Sequence, residues 1–197
     1  MKEARKSEIH RKTKETDISI SFDLDGSAEY SVSTGIPFFD HLLELFAKHG
    51  RFDFTVQAKG DVDVDFHHLI EDTGIALGDA FKKAVGKKAG ITRFASAHIP
   101  MDDALARVCL DISGRAFLSY NVEIADPVIV HFNARLIEEF FRAFVHRAEI
   151  NLHIDSIRGK NAHHIVEACF KAFGVALHTA SRISGSTSEI PSTKGVL

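Results

Sequence analysis

From about residue 18 the chain switches repeatedly between two hydrophobic periods. Ile18, Ile20, Phe22 and Leu24 alternate with polar Ser19, Ser21 and Asp23, the period of two that a half-buried strand requires. Asp25-Gly26 then turns the chain toward Glu29-Tyr30-Ser31-Val32-Ser33, so the pair predicts a hairpin with one buried face. From Pro37 to Lys48 the apolar residues recur at helical spacing. Pro37 suits a first helical position, and Gly50 can close the segment. Phe52 to Ala58 alternates again as a strand. Asp61, Asp63 and Asp65 lead into a helix from about His67 to Lys88, acidic at its start and lysine-rich at its end as the helix dipole favours. The first half therefore reads strand, strand, helix, strand, helix.

The second half repeats that order. Leu105–Ile112 and Phe117–Ile124 read as strands, about Val130–Arg147 as a helix and Glu149–Ile154 as a strand. Asn161 N-caps a helix running to Ser181, and a Gly/Ser/Thr-rich tail follows Ser184. His67 and His163 are 96 positions apart, and the same offset aligns Ala76 with Ala172, Gly78 with Gly174 and Ala80 with Ala176. On the preceding helix an offset of 98 pairs Asp40 with Glu138, His41 with Glu139, Leu43 with Phe141 and Phe46 with Phe144. A repeat of this length implies a duplicated half-domain rather than a solenoid, which needs more copies. The expected organisation is a repeat over 1–92, a second over 93–184 and a tail over 185–197.

Composition narrows the function. With 197 residues, 45% hydrophobic and 26% charged, the chain can bury a real core. A net charge of -3 and a pI near 6.4 supply no basic field, so nucleic acid is not an expected partner. Cys109 and Cys169 sit far apart in apolar segments and are expected to be free thiols in a reducing cytoplasm. Met1 to Lys14 lacks the apolar stretch of a secretory signal, and no segment approaches transmembrane length. A cytoplasmic protein without a membrane partner is expected.

The candidate chemistry lies in a phrase written twice. His67-His68-Leu69-Ile70-Glu71 returns as His163-His164-Ile165-Val166-Glu167, each opening a long helical pattern. Imidazoles and carboxylates are transition-metal ligands. Successive helical residues are about 100° apart, so i and i+4 share a face while i+1 turns away. His67 and Glu71 can share one metal, as can His163 and Glu167, whereas His68 and His164 point elsewhere. The consistent solution places two metals between facing copies, each taking a His/Glu pair from one helix and the odd histidine from the other. His41 and Glu139 then complete one set each. The spacing leaves open whether the facing helices belong to one chain or to neighbours.

One such phrase alone would most simply be surface histidines; two in register make a metal site the better reading. Mn, Fe, Zn or Ni would suit the ligand set, and the lack of cysteine ligands disfavours a closed structural zinc site. His49 lies eight residues beyond His41, close enough in angle to face the same cavity and contact a substrate. His10, His98, His131, His146 and His178 have no partner pattern and default to exposed or hydrogen-bonded side chains. The run Lys82, Lys83, Lys87 and Lys88 is most simply a solvated helix end.

The chain resembles the imidazoleglycerol-phosphate dehydratase family over nearly its full length. The resemblance rests on Arg11-Lys12-Thr13-Lys14-Glu15-Thr16, Phe38-Phe39-Asp40-His41, Asp65 to Asp72, Arg93-Phe94 and Pro100-Met101-Asp102. It continues through Ser113-Gly114-Arg115, Glu139-Phe140-Phe141, Asn161 to Ala168 and Pro191-Ser192-Thr193-Lys194-Gly195. It implies dehydration of imidazole glycerol phosphate to imidazole acetol phosphate, in histidine biosynthesis, at a pair of Mn2+ ions. It also implies an α/β (α+β) fold of duplicated half-domains, like ribosomal protein S5 domain 2, with helices packed between mixed β-sheets. A homo-oligomeric shell of 24 subunits with active sites between them is implied too.

The family's metal ligands fall at His41, His67, His68, Glu71, His163, His164 and Glu167, with Glu139 at the eighth position, where the family often has histidine. A carboxylate still binds manganese, but the two metals then differ in charge and affinity. Glu15, Glu71 and Glu167 are the candidate acid/base groups. Arg93, Arg115, Ser192, Thr193 and Lys194 form the candidate phosphate clamp, with Lys171 as a further substrate contact and Glu15 and His49 beside the substrate. Two other readings compete. One is another metal-dependent lyase or hydrolase with the same ligand set and a different phosphorylated substrate; a hydrolase would need a metal-bound water as nucleophile, and the chain shows no separate activating motif such as HExxH. The other is a metal-storage shell, which needs no phosphate clamp.

Overall fold

The computed structural model describes residues 4–184 and 189–197. The first part of the chain forms β1 (Lys6–Lys12), β2 (Thr16–Asp23), β3 (Tyr30–Ser33), α1 (Pro37–Gly50), β4 (Asp53–Gly60) and α2 (His67–Val85). The second forms β5 (Phe94–Met101), β6 (Ala104–Asp111), β7 (Phe117–Asn121), the short β8 (Val128–Ile129) and β9 (Phe132–Asn133), α3 (Ile137–Ala148), β10 (Asn151–Arg158) and α4 (Ala162–Ser181). The two four-stranded sheets have matching orders, β1-β2-β4-β3 and β5-β6-β10-β7. Both are mixed: β3 runs parallel to β4 and β7 parallel to β10, while the remaining pairs are antiparallel.

The four helices lie between the sheets. α2 packs on β1, β2 and β4, and α4 packs on β5, β6 and β10. Between these layers the helices pair across the repeat: α1 against α4, and α2 against α3. Close approach at these contacts needs glycine. A Cβ at Gly174 would stand 2.5 Å from the carbonyl oxygen of Phe46, and one at Gly78 would stand 2.7 Å from that of Phe144. These are the two glycines aligned by the 96-residue offset, facing the two phenylalanines aligned by the 98-residue offset. A phenylalanine cluster fills the centre, with Phe46 stacked on Phe173 and Phe140 on Phe170.

Several expectations change. The Ile18–Ser33 hairpin does not form: β2 pairs with β1 and β4, and β3 lies on the far side of β4. The cause is Asp53 at the start of β4, whose Oδ1 accepts the backbone N–H groups of Ser27 (2.7 Å) and Glu29 (3.0 Å) and draws the loop across that strand. Each repeat gains an edge strand, β1 or β5, so its order is three strands, helix, strand, helix. The third helix begins at Ile137 rather than Val130. Residues 128–133 form a small ladder instead, and Asn133 caps a single 3-10 turn before the helix. α2 stops at Val85 because Gly86, at φ 59°, turns the backbone out of the helix. The Asn161 cap forms as expected, its side chain accepting the His163 N–H. Cys109 and Cys169 are free, and burial pushes the Cys169 thiol up to about 12. No helix among the described residues is long and apolar enough to cross a membrane. Residues 185–188 of the expected tail lie outside the described residues.

Candidate active site

The packing of α1 on α4 brings His41, near the start of α1, onto the first turns of α4. His41 Nε2 and His163 Nε2 lie 2.8 and 2.7 Å from the same Glu167 oxygen, Oε1. Lys171 donates to the other oxygen at 2.6 Å and touches Met101 Sδ at 3.2 Å. One ligand atom from each of His41, His163 and Glu167 lies within 4.8 Å of the others. Glu167 is buried. Burial works to raise its carboxyl, yet the hydrogen bonds from Lys171, His41 and His163 outweigh it and hold the group at about 2. A permanent carboxylate between two imidazoles is a divalent-cation donor set, so these residues fit a transition metal. His49 faces the same region. Burial lowers its pKa, Lys171 lowers it further and Glu167 opposes them.

The first copy of the phrase is more open. His67 Nε2 stands 3.8 Å from Glu71 Oε2. His68 turns away, as its i+1 position requires, and its Nδ1 meets Asp61 Oδ2 at 3.0 Å, which raises the histidine's pKa. His164 also turns away, its Nδ1 2.7 Å from Asp103 Oδ1. That bond, with two backbone N–H groups, holds Asp103 at about 2. Glu139, on the first turn of α3, lies 3.4 Å from Arg142 Nε. Phe38 packs on His163 and on Phe132, and Phe132 stacks on Phe66, the residue before His67. Three rings thus lie between His163 and the residue before His67 within one chain.

Glu15 sits in the β1–β2 turn, its Oε2 3.9 Å from His68 Nδ1. The turn is built locally: Thr13 Oγ1 accepts the N–H groups of Glu15 and Thr16 at 3.0 and 2.9 Å. Buried Asp72 pins it to α2, accepting from Arg11 at 2.8 Å and from the Thr16 hydroxyl. The Arg11-to-Thr16 motif is therefore a mount for Glu15. Sequence reasoning gave Arg11, Asp61, Asp72 and Asp103 no role at the site: Arg11 and Asp72 fall within quoted motifs, Asp61 within the acidic lead into the helix and Asp103 beside Pro100-Met101-Asp102, and only Asp61 has its partner nearby in the chain.

The expected phosphate residues gather at the opposite end of β5. Arg93 precedes that strand, its guanidinium over the Phe94 ring at 4.5 Å, paired with Asp111 at 2.7 Å and donating to the Pro191 carbonyl at 2.7 Å. The tail bearing Ser192, Thr193 and Lys194 is thereby brought to Arg93. The Arg93 carbonyl accepts the N–H of Ile112, which leads into the Ser113-Gly114-Arg115 loop. Lys171 instead contacts Glu167 and Met101, at the far end of β5.

The imidazoleglycerol-phosphate dehydratase family profile matches residues 34–177, which include His41, both histidine phrases and α3. The chain belongs to that family. Imidazoleglycerol-phosphate dehydratase of Thermoanaerobacter pseudethanolicus is 52% identical over 193 residues, covering 98% of this chain and all of the relative. That of Trichlorobacter lovleyi is 49% identical over 193 residues, covering 98% of this chain and 99% of the relative. The Pyrococcus furiosus enzyme, solved in complex with (S)-C348, superposes with a TM-score of 0.84 at 39% identity, covering 96% of this chain and all of that one. The Staphylococcus aureus enzyme gives 0.82 at 38% identity, covering 92% of this chain and 99% of that one. The mixed sheets with helices between them are the dehydratase fold.

Proposed function

We propose that the chain dehydrates imidazole glycerol phosphate to imidazole acetol phosphate, a step of histidine biosynthesis, in the cytoplasm and with two Mn2+ ions per active site. The observation that carries this reading is the His41–His163–Glu167 triad, two half-exposed imidazoles on a buried carboxylate, in a chain of the dehydratase family. One ion would be held around that triad and the other around His67 and Glu71, with His68, His164 and Glu139 completing the sets. When bound, the metal supplies Lewis-acid stabilisation of negative charge on the imidazole ring.

The ring-bound carbon loses its hydroxyl, the neighbouring carbon loses its proton, and the resulting enol becomes the ketone. Glu15 is the favoured proton acceptor. Its side chain is more than half exposed and fixed in a pinned turn, whereas Glu167 is committed to three hydrogen bonds. Lys171 holds Glu167 in its ionised form, and His49 lines the same region. Arg93, Arg115, Ser192, Thr193 and Lys194 receive the phosphate.

Geometry favours a site shared between subunits. β5 has eight residues, and at about 3.3 Å per residue its ends are over 20 Å apart, with Arg93 held at one and Lys171 at the other. The substrate's heavy-atom path, at about 1.5 Å per bond, spans only about 10 Å. This separation supports a second chain supplying one end, as the proposed 24-subunit shell would allow. Protein loaded with Mn2+ and given imidazole glycerol phosphate should form the acetol phosphate and stop when a chelator is added. No turnover with Mn2+ bound would overturn the proposal.

A further inference from the structure

We infer that Asp61 and Asp103 are positioning residues that hold His68 and His164 with the proton on Nδ1 and the Nε2 lone pair free for the metal. The inference rests on the two-metal reading above. An imidazole offers a metal whichever nitrogen is unprotonated, and a carboxylate at the other nitrogen fixes that choice and the ring's orientation. Both histidines meet a carboxylate at Nδ1, His68 from Asp61 at 3.0 Å and His164 from Asp103 at 2.7 Å.

Neither acid is a loosely swinging surface group. Asp103 Oδ2 accepts the backbone N–H groups of Lys160 (2.7 Å) and Asn161 (3.3 Å), which tie the β5–β6 turn to the start of α4. Asp61 donates its backbone N–H to the Glu15 carbonyl and accepts that of Val64, so its side chain leaves a fixed turn.

The two acids come from different places in the repeat. Thr16, which opens β2, matches Ala104, which opens β6, so the counterpart of Asp103 is Glu15. Asp53, which opens β4, matches Asn151, which opens β10, and the bulge between Ser156 and Arg158 adds one residue to β10, so the counterpart of Asp61 is Lys160. A contact merely inherited with the duplicated scaffold would occupy equivalent positions. Here the same Nδ1 contact arises from non-equivalent ones, as a shared chemical requirement would produce. With Asp61 making the hydrogen bond to His68, Glu15, the positional twin of Asp103, stands off at 3.9 Å from the same nitrogen, beyond hydrogen-bond distance.

The test uses the full chain with Asp61→Asn and Asp103→Asn. Free Mn2+ is followed by electron paramagnetic resonance during titration, and melting is measured with and without metal. Each variant should weaken one Mn2+ equivalent by about 10–100-fold and leave the other at wild-type affinity. Asp61→Asn should keep the metal-free melting temperature and lose part of the rise that Mn2+ produces, a pattern a purely structural role would not give. Asp61 is the cleaner variant because its side chain makes no backbone bond among the described residues. Wild-type affinity for both equivalents in both variants would overturn this inference alone. Absence of Mn2+ binding by the wild-type protein would overturn the metal reading and this one with it.

Discussion

Asp72 illustrates how a single carboxylate can serve a site it does not enter. It is buried next to Glu71 and joins Arg11 and Thr16, so the turn carrying Glu15 is fastened to the helix carrying His67 and Glu71. Thr16→Val should leave an ionised acceptor short of one donor. The expected cost is about 2 kcal/mol in urea unfolding, with a larger loss in kcat than in KM because Glu15 is no longer held. A titration follows from Glu167, whose folded value of about 2 lies below its ordinary 4.5. A depressed carboxyl contributes stability that is complete above the ordinary value and lost as pH falls through the folded one. Metal-free protein should therefore lose melting temperature progressively from about pH 4.5 toward 2, and Glu167→Gln should flatten that slope. At this scale the sequence was legible where spacing sufficed: His163 and Glu167 share a face because they are one turn apart. Arg11–Asp72 and Asp103–His164 join residues 61 positions apart, and no local period can reveal such a pair.

Among the elements, the helices were the easiest to read and the strand partners the hardest. A helix satisfies its backbone within itself, so apolar spacing, Pro37 and the Asn161 cap locate three of the four closely. A strand must find its partners elsewhere. β1 and β5 are edge strands with mostly exposed side chains, and β5 carries Pro100 where no ladder donor is needed, so neither shows a clean alternation. The matched glycines were legible as an alignment, but not as contacts, since the two offsets differ and the pairing crosses between repeats. Gly78→Ala and Gly174→Ala should each cost about 1–3 kcal/mol by thermal or chemical denaturation, because a methyl would meet backbone oxygen rather than a side chain that can yield. Gly174→Ala should also weaken metal binding, since α1 delivers His41 to α4 through that contact.

For the whole molecule, the separation of Arg93 from Lys171 makes a mixing experiment decisive. His163→Ala and Arg93→Ala should each be inactive alone. Co-assembled in equal amounts, they should regain about a quarter of wild-type activity, the fraction of shared sites that draw both intact parts from different chains. If one chain supplied both ends, mixing would restore nothing. The same scale gives the crossed helices a meaning in time. α2 is complete at Val85, but the α3 face that covers it is not finished until Ala148. At synthesis rates of about 5–20 residues per second, Phe81 and its neighbours wait several seconds for that cover. A nascent chain paused in this interval presents sticky surface to any other chain beside it. Soluble yield in a cell should therefore respond to translation speed between these two helices, even when the finished protein is unchanged.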